Sequence, residues 1–546
     1  MSKQDRMGRK ALHIGALGVA LCLWAAMAAV AQQSSSAPGT APAQAQDAKK
    51  PAAKITPEQA RQLFSLVDEL IKFSSTESGL PVTSAVKRKL TSRAEVESYL
   101  KQKFDEDEGA KRMQQGEIVL KKFGLLDRDF ALKPFLLELL KEQIEAYYDS
   151  KTKTVYMLDW IDVDEQKPVL AHELTHALQD QHVDLDKWND QTPTEVSVNS
   201  REDTEHLAKD EMDTAREAVA EGQATAVMMD YILQPMGKSL IKNPEIIDLA
   251  KDQMTGSDSS PVLARAPLLL SESLLFPYRE GLSFEQDVWM DKGKQAAFAG
   301  ALDRPPTSSW EIINPLEYEK KRMPAVPMLP NIHPIVDQLY KPYDIGQIGQ
   351  LDVHILAKLF GGDRAATQLT PAWDGGLYWA GQRLDAKTPE AQASTKSIAL
   401  FYLSVWKNAA SAQAFAQLYT QELGRKYSGL KQLTNAERPQ PASLSTASPA
   451  SELQEEEQVY STDEGPVTIT TRGKLVFVAE SFPLETARQL TALILDAQGS
   501  GELQQAGATQ PPGSTMDRTL TAGLTRFLSN CGAMKAAVEA AVEAGK

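Results

Sequence analysis

Two histidines one helical turn apart, His172 and His176, are the residues of this chain whose types and spacing best predict chemistry. In a helix, residues at i and i+4 project from one face, so both imidazoles can bind one tetrahedral metal ion. Glu173 follows the first histidine, where its carboxylate can take a proton from a metal-bound water. The pattern therefore predicts metal-assisted hydrolysis with Glu173 as general base.

The composition around this motif argues against a chance match. The chain has only seven histidines in 546 residues, and apart from Glu173 the stretch 169–178 carries no fixed charge. Such a stretch fits a helix buried behind a metal site. We expect Pro168 in the first turn of this helix and Asp164 as its cap. The alternative is an amphipathic helix with two structural histidines.

A catalytic zinc ion needs a third protein ligand, and Glu221 is the main candidate. Its helical neighbours include Ala218, Ala224 and Met228, so the carboxylate would project from an apolar face. A carboxylate in that position is costly unless it is paired or bound to metal. Gly222 beside it would let another backbone or a substrate approach closely.

Two other residues are alternative third ligands. His182 lies six residues after His176, a spacing similar to that of metzincin metallopeptidases, but Gln179 occupies the position of their glycine. A helix that continued through this segment would turn His182 away from the face shared by the other histidines. Glu217, one turn before Glu221, could replace it as ligand or orient a histidine from outside the ligand set.

The motif, followed at a distance by Glu221-Gly222-Gln223-Ala224, resembles the gluzincin branch of zincin metallopeptidases. The sequence around the motif, over about residues 85–380, also resembles a group of exported bacterial metallopeptidase-like proteins. The resemblance implies a Zn²⁺ ion held by His172, His176 and Glu221, with water in the fourth position. It also implies that Glu173 acts first as base and then as proton donor to the leaving amine. The gap between the two motifs is longer than in better-known gluzincins.

Two short β-prone runs before the motif, 144–149 and 154–158, predict a hairpin leading into the helix. The resemblance implies that such a strand borders the cleft and pairs with an extended substrate, and a purely structural hairpin is the alternative. Zinc peptidases also use a histidine or tyrosine to stabilise the oxyanion. The sequence leaves four candidates open for that role: Tyr147, Tyr148, His206 and Tyr231.

The N-terminal segment predicts export. A basic stretch ending at Lys10 precedes an apolar run and then Ala29-Val30-Ala31, a small-x-small cleavage signal. An uncleaved anchor is the alternative. Cleavage would remove Cys22 and leave Cys531 as the only cysteine, so no intramolecular disulfide could form.

Length and charge set further bounds. A chain of 546 residues is too long for one core. The formal charge of −15 becomes −18 without residues 1–31, which carry a net +3, and this argues against nucleic acid as a partner.

We expect an α+β protein in which a mainly helical zincin-like domain, with a short hairpin or sheet beside the motif helix, precedes a smaller α+β domain. In the smaller domain, 398–406 is expected to alternate as a strand, 409–423 to form a helix, 467–471 and 475–479 to form a hairpin, and 484–495 to form a helix. The predicted segments are a signal peptide (1–31), a disordered linker (32–56), the zincin-like domain (57–345), the accessory domain (346–498), a linker (499–516) and a C-terminal helix (517–546).

These expectations combine into an exported, periplasmic or extracellular zinc metallopeptidase acting on a peptide or protein. After signal cleavage it would have no stable membrane insertion. The accessory domain carries no clustered catalytic motif and is expected to position substrate or to bind a protein partner. The alternative is an exported binding or scaffold protein whose zinc site is structural or vestigial.

Overall fold

A computed structural model of the protein describes residues 54–98, 108–143, 146–189, 191, 197–254, 261–324, 326–434 and 455–498. The predicted signal peptide, linkers beyond these bounds, C-terminal helix and Cys531 lie outside them. The described residues form an α+β fold, with a helical part followed by an antiparallel sheet and its helices, as the sequence predicted. No described helix is both long enough and apolar enough to cross a membrane.

The ordered chain begins with α1 (Pro57–Ser78), whose start is fixed by a capping box. The Thr56 hydroxyl accepts from Gln59 N at 3.2 Å, and the Gln59 side chain accepts from Thr56 N at 2.8 Å. Pro57 occupies the first turn, where its missing N–H costs nothing. The next elements are β1 (Lys87–Thr91), α2 (Glu108–Phe123) and α3 (Leu132–Gln143).

The predicted hairpin is present as β2 (Ala146–Asp149) and β3 (Thr154–Leu158). Residues 144 and 145 of the prediction lie outside the described residues. The sequence did not predict that β1 pairs in parallel with β3, giving a three-stranded sheet of order β1-β3-β2 in the described chain. The Gln166 amide bonds both Leu158 N (3.0 Å) and Leu158 O (3.1 Å), which ties β3 to the motif helix.

The motif helix, α4 (Val163–Val183), starts earlier than predicted. Its cap is Asp162, whose side chain accepts from Asp164 N at 2.8 Å, so the prediction of Asp164 as cap was wrong. Pro168 is therefore the sixth residue of the helix and not in its first turn. A proline there withholds one N–H from the helix and leaves the rest of the helical bonding C-terminal to it intact.

The helices α5 (Leu185–Trp188), α6 (Ser200–Leu207), α7 (Met212–Leu233), α8 (Glu245–Met254), α9 (Pro261–Ala264) and α10 (Leu268–Lys292) follow. The long helix α7 packs against both α4 and α10. A π-helical turn (Ala296–Gly300) leads into α11 (Ala301–Asp303), α12 (Ser309–Ile313), α13 (Pro315–Glu319) and α14 (His333–Val336).

The C-terminal part is built on a seven-stranded antiparallel sheet among the described residues. The order along the sheet is β4-β5-β6-β10-β9-β8-β7. Its elements in chain order are β4 (Tyr340–Gln347), α15 (Gln350–Leu369), β5 (Trp373–Arg383), α16 (Pro389–Gln392), β6 (Ile398–Trp406), α17 (Ala409–Lys426), β7 (Lys431–Gln432), β8 (Glu455–Thr462), β9 (Gly465–Arg472), β10 (Leu475–Glu480) and α18 (Leu484–Ala497). The predicted β6, α17, β9, β10 and α18 are thus confirmed, and β4, β5, β7 and β8 were missed.

This sheet is covered on both faces. All nine residues of β6 are buried, so the expected alternation of exposed and buried positions in this strand was wrong. Tyr402 and Val478 face a core shared with α1, α4 and α17, whereas Phe401 and Phe477 face a second core closed by α14 and α18. A strand buried on both faces reads as a nearly continuous apolar run.

Two buried ion pairs lie beside this sheet, and that of Lys122 joins it to the first part of the chain. Lys122 of α2 donates to Glu464 (2.7 Å) and to Ser481 Oγ (2.6 Å), and its side chain is fully buried. Lys426 of α17 pairs with Glu480, which also accepts from Tyr419 OH at 2.6 Å. Burial lowers the pKa of Lys122, against the attraction of Glu464 and Glu480. Each of these charges is stable in the interior only because its partner is present.

Candidate metal centre

The motif histidines lie in the most deeply buried stretch of α4, where all residues from 168 to 180 are buried. Ser74 Oγ of α1 donates to Ala171 O at 2.9 Å, which holds the helix from behind. On the other side, α7 presents Glu221, whose side chain is fully buried. The apolar neighbours that the sequence predicted for Glu221 are buried with it, among them Ala218 and Ala224.

The structure brings His172, His176 and Glu221 together in one cluster. The two Nε2 atoms are 3.1 Å apart, and Glu221 Oε2 lies 3.0 Å from His172 Nε2 and 3.5 Å from His176 Nε2. Among the described residues these three form a group that could hold a metal ion, with all ligand atoms within 4.8 Å of one another.

The spacing fits a tetrahedral ion. With metal–ligand bonds of about 2.0–2.2 Å, ligand atoms at the corners of a tetrahedron lie about 3.3–3.6 Å apart. The three measured separations fall in or slightly below this range. Glu221 Oε1 is buried and has no hydrogen-bond partner among the described residues, so this carboxylate has unused capacity as an acceptor. Two histidines and one carboxylate also match a known ligand set of catalytic zinc.

The electrostatics of the cluster favour a cation. Burial raises the pKa of the Glu221 carboxyl, but the charge of His176 and hydrogen bonds from both histidines outweigh burial and hold it below its usual value. Burial lowers the pKa of His176, and the Glu221 charge more than reverses this, so it is raised. Burial lowers the pKa of His172. A proton on His176 therefore balances Glu221 where a metal ion would otherwise supply the positive charge.

Glu173 lies beside this cluster, almost fully buried. Its Oε2 accepts from the backbone N–H of Tyr148 at 2.7 Å, and its Oε1 has no partner among the described residues. Burial is the main cause that raises the pKa of this carboxyl to about 8, and the neighbouring positive His176 opposes the rise. Such a group can both accept and donate a proton near neutral pH.

Strand β2 holds α4 at two points through Tyr148. Its backbone N–H binds Glu173, and its hydroxyl donates to Asp180 Oδ2 at 2.6 Å, two helical turns further on. Lys153, from the hairpin turn, also pairs with Asp180 at 2.7 Å. The edge of β2 at Tyr148 is thus engaged by α4, which favours the structural role of the hairpin over pairing with a substrate at this position.

Gln179 orients His176 from outside the cluster. His176 Nδ1 lies 2.8 Å from Gln179 Oε1, and Gln179 Nε2 donates to Ala220 O (2.9 Å) and to Gln223 Oε1 (2.9 Å). Gln223 Nε2 in turn donates to the backbone carbonyls of the π-helical turn, those of Ala297 and Phe298. A backbone carbonyl can only accept a hydrogen bond, so these two carbonyls fix the orientation of the Gln223 amide. The Gln223 amide in turn fixes the orientation of the Gln179 amide. His176 Nδ1 must then carry a proton, so it is Nε2 that would lose its proton and offer a lone pair to a metal ion.

Helix α10 closes the far side of the site. The ring of Tyr278 lies nearly parallel to that of His172, with 6.4 Å between centroids. The backbones of α7 and α10 touch at Gly222, where an added Cβ would lie 2.3 Å from the carbonyl oxygen of Gly281. The sequence predicted a close approach at Gly222 but not its partner. Neither Tyr278 nor Gln179 was predicted to belong to the site, and only the proximity of Gln179 to the motif could have suggested it.

The two alternative third ligands are placed elsewhere. Because α4 continues to Val183, His182 points away from the motif face, and its Nε2 pairs with Asp303 at 2.9 Å. Glu217 is buried one turn before Glu221, but it is not a member of the three-residue group. The geometry therefore favours Glu221 as the third ligand.

The four oxyanion candidates have other contacts. Tyr147 stacks on Tyr156 with 4.6 Å between ring centroids, and Tyr231 packs edge-on against Phe73 at 5.2 Å. The hydroxyl of Tyr148 is used by Asp180. His206 of α6 pairs with Asp210 at 3.4 Å. These contacts support structural roles for all four.

The arrangement suits the binding of a metal ion by His172, His176 and Glu221, with Glu173 placed for proton transfer. Its interpretation rests on this geometry and on the sequence motifs. Comparison of the chain with protein-family models, curated proteins and solved structures finds no match.

Proposed function

We propose that the protein is an exported zinc-dependent peptidase in which His172, His176 and Glu221 bind Zn²⁺ and Glu173 transfers the protons of hydrolysis. One observation carries the proposal. Three ligand atoms from two helices meet within 4.8 Å, and a second acidic side chain, that of Glu173, lies next to them with an unused buried oxygen. The export of the chain rests on the N-terminal sequence alone.

A bound zinc ion would lower the pKa of a water molecule from about 15.7 to about 7 and polarise the scissile carbonyl. The chain's own groups supply the remaining steps. Glu173 Oε1 accepts a proton from the attacking water. The backbone N–H of Tyr148 donates to the other oxygen, Oε2, and so fixes the orientation of the carboxylate. The protonated Glu173 then donates to the nitrogen of the leaving amine. Burial, which raises the pKa of this carboxyl, favours the protonated form that this step uses.

The ligand set supports catalysis over a purely structural zinc site. Structural sites are closed by a fourth protein ligand, whereas catalytic sites have three protein ligands and one open position. The group contains three residues in the described part of the chain, and His182, which the sequence offered as an alternative ligand, is bonded to Asp303 instead.

The deep burial of the cluster favours the second candidate function, a binding or scaffold protein with a structural or vestigial metal site. His176 is the most exposed ligand, at 6%, and Glu173 is 2% exposed. A peptide could reach the site only if the elements around it moved apart. Activity measurements therefore discriminate between the two functions better than the closed structure does.

The decisive experiment compares zinc content and peptide cleavage in the Glu173→Gln variant. We expect full zinc binding and a loss of cleavage of about 10²- to 10⁴-fold, because general acid–base catalysis typically contributes this much. Glu165→Gln, in the exposed first turn of the same helix, is the matched control and should cleave like the wild type.

Two results would overturn the peptidase proposal. Cleavage of a peptide library by Glu173→Gln at the wild-type rate would remove the role of Glu173. A wild-type protein that binds zinc stoichiometrically but cleaves nothing in that library, with or without added zinc, would support the structural site instead. Loss of zinc from Glu221→Ala is expected in either case.

A further inference from the structure

A second cavity, of about 200 Å³, lies on the other side of α10 from the metal centre. It is bordered by α10, α12, α15 and the short turn that follows α15, and is partly open to solvent. The residues that line it are Glu272, Phe276, Arg279, Glu280, Ile313, Leu351, His354 and Thr370. At about 30 Å³ per water molecule the space would hold roughly six waters, which is room for a small organic molecule.

Arg279 is a residue of this cavity with an unsatisfied hydrogen-bond donor. Its Nε is buried and has no hydrogen-bond partner in the described part of the chain. Its nearest acidic group is Glu272, at 3.6 Å from Nη1, which is longer than a hydrogen bond. A guanidinium presents five donors in a rigid fork, so this side chain can still bind a carboxylate through two parallel hydrogen bonds.

The two carboxylates of the cavity already have cationic partners behind its wall. Glu272 accepts from Lys358 at 2.7 Å, and Glu280 accepts from Lys251 at 3.0 Å. Glu272 is therefore shared between Lys358, which it binds closely, and Arg279, which it meets at 3.6 Å without a hydrogen bond. The guanidinium of Arg279 therefore keeps hydrogen-bond donors with which it can bind one carboxylate.

The other residues that line the cavity determine what kind of ligand fits next to Arg279. Phe276, Ile313 and Leu351 offer an apolar surface, and the hydroxyl of Thr370 and the ring of His354 lie 3.4 Å apart at its polar side. Burial lowers the pKa of His354, so the ring is neutral at pH 7 and adds no second positive charge. An apolar pocket with a few convergent polar groups is the usual form of a small-molecule site.

We propose that this cavity binds a small monocarboxylate with a short, branched apolar body, the carboxylate on Arg279 and the body against Phe276, Ile313 and Leu351. A simple carboxylic acid and a free apolar amino acid share this chemistry. The site is separate from the metal centre, because its residues belong to the opposite face of α10 and to α12 and α15.

Isothermal titration of the full exported form with sodium isovalerate, L-leucine and L-leucinamide tests the proposal. We expect isovalerate to bind with a dissociation constant below about 1 mM, and leucinamide, which has no carboxylate, to give no saturable heat. Leucine binding as tightly as isovalerate would identify an amino-acid site, and isovalerate alone would identify a carboxylic-acid site. Arg279→Gln should weaken binding at least about tenfold, as expected for loss of hydrogen bonds to a charged group.

Matched controls keep the test independent of the metal centre and of folding. Arg265→Gln removes an exposed arginine that pairs with Glu138 just before α10 and should bind isovalerate like the wild type. His176→Ala should lose zinc and retain isovalerate binding. The peptidase proposal and the carboxylate-site proposal can therefore be refuted independently of each other. The proposal would be overturned if Arg279→Gln bound isovalerate as tightly as the wild type does. This comparison requires that Arg279→Gln and Arg265→Gln unfold at the wild-type temperature. The absence of saturable binding of either carboxylate to the wild type would also overturn the proposal.

Discussion

Replacing Gln179 by methionine should weaken zinc binding without emptying space in the core. The methionine side chain is similar in length but cannot make the three hydrogen bonds of the amide, those with His176 Nδ1, Ala220 O and Gln223 Oε1. The ring of His176 would then be free to rotate or to carry its proton on the wrong nitrogen. Loss of a partner that orients a metal ligand typically costs 10- to 100-fold in metal affinity, or about 1.4–2.8 kcal/mol.

The substitution also leaves buried acceptors without this donor, each at a cost of about 1–3 kcal/mol in stability. Zinc affinity should therefore be measured by competition with a chromophoric chelator under conditions where circular dichroism shows the variant folded. Gln181→Met is the matched control. Gln181 lies two residues further along the same helix, is half-buried, and its side-chain oxygen accepts from the backbone N–H groups of Thr83 and Ser84. If Gln179→Met and Gln181→Met bind zinc within twofold of each other, Gln179 does not orient His176.

Three further predictions concern packing, ligand choice and pH. Gly222→Ala should lower the free energy of unfolding by about 1–3 kcal/mol, because the added Cβ would lie 2.3 Å from the backbone of α10. Gly424→Ala is the control and should not lower it, because there is open space at its Cβ. Urea unfolding measures both variants. His182→Ala should bind zinc like the wild type, and loss of zinc would instead support the metzincin-like ligand set. Burial raises the pKa of Glu211 to about 8, so the folded state holds this proton more tightly than the unfolded state, and stability falls as pH rises from about 4.5 through 8. Glu211→Gln should therefore lose less stability between pH 5 and 8 than the wild type or exposed Glu205→Gln, and parallel pH profiles would contradict this reasoning.

The sequence predicted those parts of the site that depend on local spacing. His172 and His176 share a face because a helix has 3.6 residues per turn, and Glu221 stood out because a carboxylate on an apolar face needs a partner. Whether α4 continues past Gln179 was left open by the sequence; it does continue, and this places His182 away from the motif.

The parts that the sequence did not predict depend on contacts between distant segments. Tyr278 and the crossing at Gly222 come from α10, which packs against α7 for reasons that no single segment reveals. The start of α4 was misplaced because two aspartates compete as caps, and only the folded backbone shows that Asp162 reaches the free N–H. Strand β6 lost its expected alternation because helices cover both faces of its sheet.

The pairing of Lys122 with Glu464 constrains the order in which this chain can mature. A ribosome releases α2 long before it reaches β9 and β10, and until then the lysine ammonium must remain in water. Helix α2 therefore cannot complete its final packing until Glu464, 342 residues after Lys122, has been made.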